Sequence, residues 1–198
     1  LDDFQGHEGC NEILNVTRPD IVRQVHEAYL AVGVDCVETN TFGANLSNLG
    51  EYGIQDRIEE LAAAAARIAR GATETWSTPE HPRFVLGSLG PGTKLPSLGH
   101  ATYAELRDAY SRATTGLLDG GVDAVQIETV QDLLQAKAAV VGARRAMHAC
   151  GREIPVLVSV TVETTGTMLL GSEIGAALTA LEALEIDALG LNCATGPA

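Results

Sequence analysis

Three times in this chain a helix-like segment passes into a strand-like one through the same kind of junction: Gly33-Val34-Asp35, Gly121-Val122-Asp123 and Glu185-Ile186-Asp187. Each junction closes a helix and opens a strand, and over its whole length the chain alternates strand and helix about five times. That alternation predicts a parallel sheet with helices outside it. Aligning the strands on their aspartates separates two faces. Val37 and Thr39, Val125 and Ile127, and Leu189 and Leu191 share one side; Glu38 and Asn40, Gln126 and Glu128, and Gly190 and Asn192 share the other. Ser159 and Thr161 join the second set. An open doubly wound sheet buries both faces under helices and has no place for Glu38, Gln126 and Glu128 in register. A closed barrel does, with the apolar face toward the helices and the polar face inward. The predicted fold is therefore an α/β (β/α)8 barrel, incomplete in this chain, with residues 1–198 as one partial domain.

Local signals place the elements. Residues 1–16 read as a loop anchored by Ile13-Leu14. Thr17, Pro19 and Asp20 read as the capped start of a helix ending at Gly33, with His26 on its polar side and solvated. Asp35–Thr41 is the first strand and Phe42-Gly43-Ala44-Asn45 a tight loop after it. A helix follows over Gln55–Gly71, then a polar loop over Ser77–Pro82. The next strand is Phe84–Leu89, and Thr102 with Glu105 forms a capping box for the helix that ends at Gly120-Gly121. Asp123–Thr129 is a strand; Thr129 with Asp132 caps the helix ending at Gly151. Pro155–Val162 is the most strongly β segment, Ser172 caps the last helix, and Asp187–Cys193 is the last strand, closed by a Gly196-Pro197 turn. Asp35, Asp123 and Asp187 fall at the N-terminal ends of their strands, where turn or cap contacts are expected.

Composition narrows the function. The net charge is −13, with 26 acidic against 13 basic residues, which disfavours a polyphosphate partner such as nucleic acid. No apolar run approaches the ~20 residues of a membrane span. The cysteines, Cys10, Cys36, Cys150 and Cys193, are widely spaced without a C-x-x-C pair, which fits reduced cytoplasmic thiols. Leu1 at the start and a strand lip at the end read as a piece of a longer protein.

Two side chains stand out chemically. Glu128 falls at the C-terminal lip of a central strand, where a carboxylate must be paired, hydrated or offered to a ligand. Cys193 falls at the lip of the last strand, a place where parallel α/β folds meet ligands, although free cysteine is also a common core residue. Glu38 lies deeper, where internal hydrogen bonding is the expected role. Phosphate loops, nucleophile elbows and H-E-x-x-H are absent, and Cys193 has no histidine or cysteine neighbour in sequence to complete a metal site. Strict alternation sends Glu128 and Cys193 to opposite faces. Both can serve one ligand only if the pleat breaks, which Gly190 and Gly196-Pro197 point to at Asn192–Ala194.

Glu38-Thr39-Asn40-Thr41-Phe42-Gly43-Ala44-Asn45, the run from Gly121-Val122-Asp123 to Gln126-Ile127-Glu128-Thr129, and Gly190-Leu191-Asn192-Cys193 together resemble the homocysteine S-methyltransferase family. Within that family, Asn11–Asn45 is most similar to the N-terminal homocysteine module of the cobalamin-dependent methionine synthases. The resemblance implies a (β/α)8 barrel in which a zinc ion on three cysteinates binds homocysteine as thiolate. Cys193 matches one zinc ligand, and a Gly-Gly-Cys-Cys pair near the barrel's end supplies the other two. Glu128 matches the glutamate that holds the substrate amino group, and Gly43, Ala44 and Asn45 are expected to line the substrate. It further implies methylcobalamin on another module as methyl donor, with folate and cobalamin modules of the same polypeptide as partners. The family's opening strand, with its Asp-Gly-Ala motif, and the last two strands with the cysteine pair lie outside this chain, so the piece alone is expected to be inactive. A stand-alone enzyme with a sulfonium or betaine donor, and a non-catalytic stable fragment, are the alternatives.

Overall fold

The computed structural model describes residues 3–195, and the expected Gly196-Pro197 turn lies outside them. Five strands, β1 (Cys36–Glu38), β2 (Phe84–Leu89), β3 (Ala124–Val130), β4 (Val156–Val160) and β5 (Ala188–Leu191), form one sheet in sequential order. Every pair is parallel. Sequential parallel order with a helix on each return is the wall of a barrel rather than the reversing order of a doubly wound sheet.

The connecting helices are α1 (Leu14–Thr17), α2 (Pro19–Ala31), α3 (Leu46–Glu51), α4 (Ile58–Trp76), α5 (Tyr103–Gly120), α6 (Leu133–Cys150) and α7 (Ile174–Glu182). They cover one face of the sheet. Val37, Val85, Val125, Ile127, Val156, Val158 and Val160 point into that layer and are buried with Leu61, Leu117, Ala139 and Met147. Gly87 belongs to the same face, since a Cβ there would lie 2.8 Å from the Leu117 side chain. The opposite face carries Glu38, Ser88, Gln126, Glu128, Ser159 and Gly190, the division expected from the sequence.

Alanines and glycines let α4 and α5 approach closely. A Cβ on Gly116 would come 2.3 Å from the Glu59 carbonyl oxygen and one on Gly120 2.3 Å from the Ala66 Cβ. The strand-start aspartates act as staples. Asp123 accepts from the Val85 N–H at 2.7 Å while its own N–H donates to the Val85 carbonyl at 2.8 Å. Asp187 repeats the device on Val156, at 2.7 and 2.9 Å. Asp35 instead pairs with His81 at 2.7 Å.

Several boundaries differ from expectation for identifiable reasons. Thr17 does not cap α2; residues 11–17 are already helical, so its hydroxyl donates back to the Ile13 carbonyl, and Arg18 takes the cap position with no side-chain bond to the helix's free backbone N–H groups. Gly71 does not stop α4, which continues to Trp76 until Ser77 turns extended before Thr78-Pro79. Asp132 caps α6 without Thr129, and the residue before α7 is Glu173 rather than Ser172. His26 is buried rather than solvated, and its Nε2 has no hydrogen-bond partner among the described residues. The Thr102–Glu105 capping box is present as expected.

Candidate active site

The C-terminal ends of β2, β3 and β5 converge on one polar cluster. Ser88 and Gln126 are register partners, and Glu128 lies two residues further along the same face of β3. The Ser88 hydroxyl donates to Glu128 Oε1 at 2.6 Å, and Gln126 Nε2 donates to Ser159 Oγ on β4 at 2.9 Å. Glu38 shares this face. It is exposed, makes no side-chain hydrogen bond among the described residues, and so does not take the internal bonding role expected of it. Although the residue is exposed, the protein around it partly desolvates its carboxylate, and this, followed by the negative charge of Glu128, raises its pKa.

The pleat breaks in two strands. Cys193 and Ala194 have φ values of 60° and 47°, at the expected place. The second break is at Thr129, with φ 58°, and sequence reasoning missed it. Between β3 and β4 the register runs from Ile127↔Val158 to Val130↔Val160, so β3 spends one more residue than its partner over this stretch. Thr129 is thus a bulge residue in the left-handed region, one that re-aims the strand end beside Glu128.

Asn192 joins the two breaks. Its Oδ1 accepts from the Thr129 N–H at 2.9 Å, and its Nδ2 donates to Thr129 Oγ1 at 2.8 Å and lies 3.6 Å from Cys193 Sγ. Thr129 Oγ1 is 3.8 Å from the same sulfur. Cys193 is exposed rather than buried under the helices, and its thiol sits against the residue that follows Glu128.

Gly43, Ala44 and Asn45 form a loop braced from below. Glu12, 8% exposed, accepts from the Gly43 N–H at 2.8 Å, and a Cβ on Gly43 would come 2.6 Å from the same oxygen. Ala44 is buried and its N–H donates to Thr41; the Asn45 N–H donates to Gly43. The Asn45 side chain caps α3 by accepting from Asn48 N–H at 3.0 Å. All three backbone donors are therefore engaged within the protein. Glu12 carries no recognisable local motif, and its partner is 31 residues away.

Asp132 is fully buried at the neighbouring loop. Its carboxylate accepts from the Ser97 N–H and hydroxyl, both at 2.8 Å, and from the Leu134 and Gln135 N–H groups at 2.8 and 3.4 Å. It ties the loop after β2 to the start of α6.

Among the described residues no group of three His, Cys, Asp or Glu side chains is placed to hold a metal ion. Cys193 offers one soft donor that points outward at the strand ends, with an amide N–H beside it. This fits one position of a thiolate metal site whose remaining ligands come from elsewhere.

The chain belongs to the homocysteine S-methyltransferase family, whose model matches residues 2–198. Among its relatives are the methionine synthases of Mycobacterium tuberculosis and Mycobacterium leprae. Each is 64% identical over 198 residues, covering all of this chain and 17% and 16% of those proteins. The chain thus spans about a sixth of the length of these relatives. Among solved structures, the metallated Escherichia coli homocysteine methyltransferase MmuM superposes with a TM-score of 0.78 at 21% identity, covering 96% of this chain and 70% of that one. Its oxidized form gives 0.76 at 20% identity, with 96% and 69% covered. The fold is that of these barrels, and the five-stranded sheet forms part of one.

Proposed function

We propose that residues 1–198 are part of a single homocysteine-binding barrel domain of a methionine synthase, which transfers a methyl group to homocysteine. The observation that carries this reading is the placement of the Cys193 thiol against Thr129, the residue following Glu128, at the open end of the sheet. One end of a thiol-bearing amino acid could then be held by the carboxylate while its sulfur lies by Cys193. The 64% identity to methionine synthases favours methylcobalamin on another module over a sulfonium or betaine donor. Folate and cobalamin modules of the same polypeptide are the partners this implies, and the four free thiols fit a cytoplasmic enzyme.

A zinc ion held through thiolates would lower the pKa of a coordinated thiol, and so would supply homocysteine sulfur as a nucleophile near neutral pH. Cys193 is the residue of this chain that would hold the metal. Glu128 binds and orients the substrate ammonium group, which is a positioning role rather than acid–base work. With Oε1 taken by Ser88, Oε2 is the oxygen left for the ligand. The Gly43–Asn45 loop contributes shape at the rim, since its N–H groups are already used.

In the full-length enzyme, Cys193→Ala should abolish zinc retention measured by elemental analysis. Glu128→Ala should retain zinc and weaken homocysteine binding by roughly 2–5 kcal/mol, the cost of removing one partner of a buried charge pair. Unchanged homocysteine affinity in Glu128→Ala refutes the assignment.

A further inference from the structure

We propose that Ser88 is a positioning residue for Glu128, itself locked in place by a closed ring of hydrogen bonds through Thr39 and Thr41. The inference rests on the reading that Glu128 takes the substrate ammonium group.

The ring can be followed proton by proton. Ser88, Thr39 and Thr41 are 2%, 4% and 1% exposed, so water does not compete for their hydroxyls. The Ser88 N–H donates to Thr39 Oγ1 at 3.0 Å. The Thr41 hydroxyl donates to the Ser88 carbonyl at 2.7 Å, which uses its only proton. In the 2.6 Å contact between the two threonines the donor must then be Thr39. The circuit runs from Ser88 N–H to Thr39 to Thr41 and back to the Ser88 carbonyl, pinning both backbone groups of that residue from the segment that leaves β1.

The Ser88 hydroxyl is left with one task. A carboxylate can only accept, so Ser88 Oγ donates to Glu128 Oε1, at a separation of 2.6 Å that belongs to charge-assisted bonds. Fixing one oxygen from a rigid strand restricts the glutamate's terminal torsions and aims the other oxygen, which is the kind of pre-organisation that raises ligand affinity. The threonines come from the segment that continues into the Gly43–Asn45 loop. The carboxylate and the rim of the site are thereby braced as one unit.

The test uses the full-length, zinc-loaded enzyme and two ligands, homocysteine and 4-mercaptobutanoate, which keeps the thiol and carboxylate but lacks the amino group. Calorimetry should show Ser88→Ala weakening homocysteine about tenfold or more, the size of one hydrogen bond to a charged group, while 4-mercaptobutanoate stays within about twofold. Ser88→Thr, which keeps the hydroxyl, should restore the ratio of the two affinities. In a Glu128→Gln background, Ser88→Ala should add no further loss. If Ser88→Ala does not fold, Thr39→Val breaks the same ring and should shift the same ratio in the same direction. Equal loss of both ligands, or an unchanged ratio, overturns the proposal. If Glu128→Gln weakens homocysteine and the Ser88 and Thr39 variants leave the ratio alone, only the positioning role fails. If Glu128→Gln itself has no effect, the reading of Glu128 fails and takes this inference with it.

Discussion

Asp132→Ala should be among the most damaging single changes outside the site. The carboxylate serves two elements at once, capping α6 through Leu134 and Gln135 and holding the loop after β2 through both donors of Ser97. Loss of the cap alone costs about 1 kcal/mol. Each bond from Ser97 to a charged, fully buried acceptor is worth about 1.5 kcal/mol or more, and the Ser97 N–H is left without its partner when the acceptor goes. Relief of the carboxylate's own desolvation offsets part of this, so the net expectation is about 3 kcal/mol. Ser97→Ala loses only the hydroxyl bond and should cost about 1.5 kcal/mol. Asp132→Asn keeps one acceptor oxygen but sets an amide N–H₂ against one of its former donors, and should fall between the two.

Equilibrium urea unfolding followed by circular dichroism measures these differences. With a slope of about 2 kcal/mol/M, Asp132→Ala should lower the midpoint by about 1.5 M. A loss below about 1 kcal/mol, or the order Ser97→Ala worse than Asp132→Ala, refutes the view that this carboxylate carries both connections.

Two further outcomes test other parts of the fold. Gly116→Ala would ordinarily gain about 1 kcal/mol of helix propensity, but with the Glu59 carbonyl oxygen 2.3 Å from the new Cβ it should lose about 1–3 kcal/mol in the same assay, and a gain would show that α4 and α5 are not packed this closely. His26 is held below its ordinary pKa by burial, so the unfolded chain binds more protons below about pH 6.5 and stability falls as pH drops from there toward the folded value. The slope should reach at most about 1.4 kcal/mol per pH unit, and His26→Leu should flatten it; parallel wild-type and variant curves between about pH 5 and 7 would show that His26 is not desolvated.

What the sequence makes legible here is whatever is decided locally. The strand faces follow from period-two alternation, which is why Val125 and Ile127 fall under the helices and Gln126 and Glu128 opposite them. The Thr102–Glu105 box is four consecutive residues and reads directly. What escapes is decided between distant segments. Glu12 looks like any acidic residue of an opening loop until Gly43 is brought over it. His26 sits at a spacing compatible with either edge of an amphipathic stripe, and only the packing of α2 against the sheet settles that it is buried. Thr17 and Gly71 have the right identity for a cap and a stop. Each is overridden because the helix on its other side continues.

The Thr129 bulge is the strongest case of such long-range specification, and it bears on how the site is built. A threonine in the left-handed region costs on the order of 1–2 kcal/mol, and no local signal calls for it. The compensation comes from Asn192, 63 residues away, which satisfies both the Thr129 N–H and its hydroxyl. The same asparagine immediately precedes Cys193, whose own left-handed backbone turns the thiol outward at the strand end. The two strained residues are therefore held by one amide. Without the bulge, the N–H of Thr129 would not meet Asn192, and the amide would lose its anchor beside the sulfur. Without Asn192, the bulge would have nothing to offset its strain, and β3 could relax to regular pairing with β4. Backbone strain and side-chain clamp support each other, and together they tie the carboxylate strand to the thiol strand across the β4 strand that lies between them.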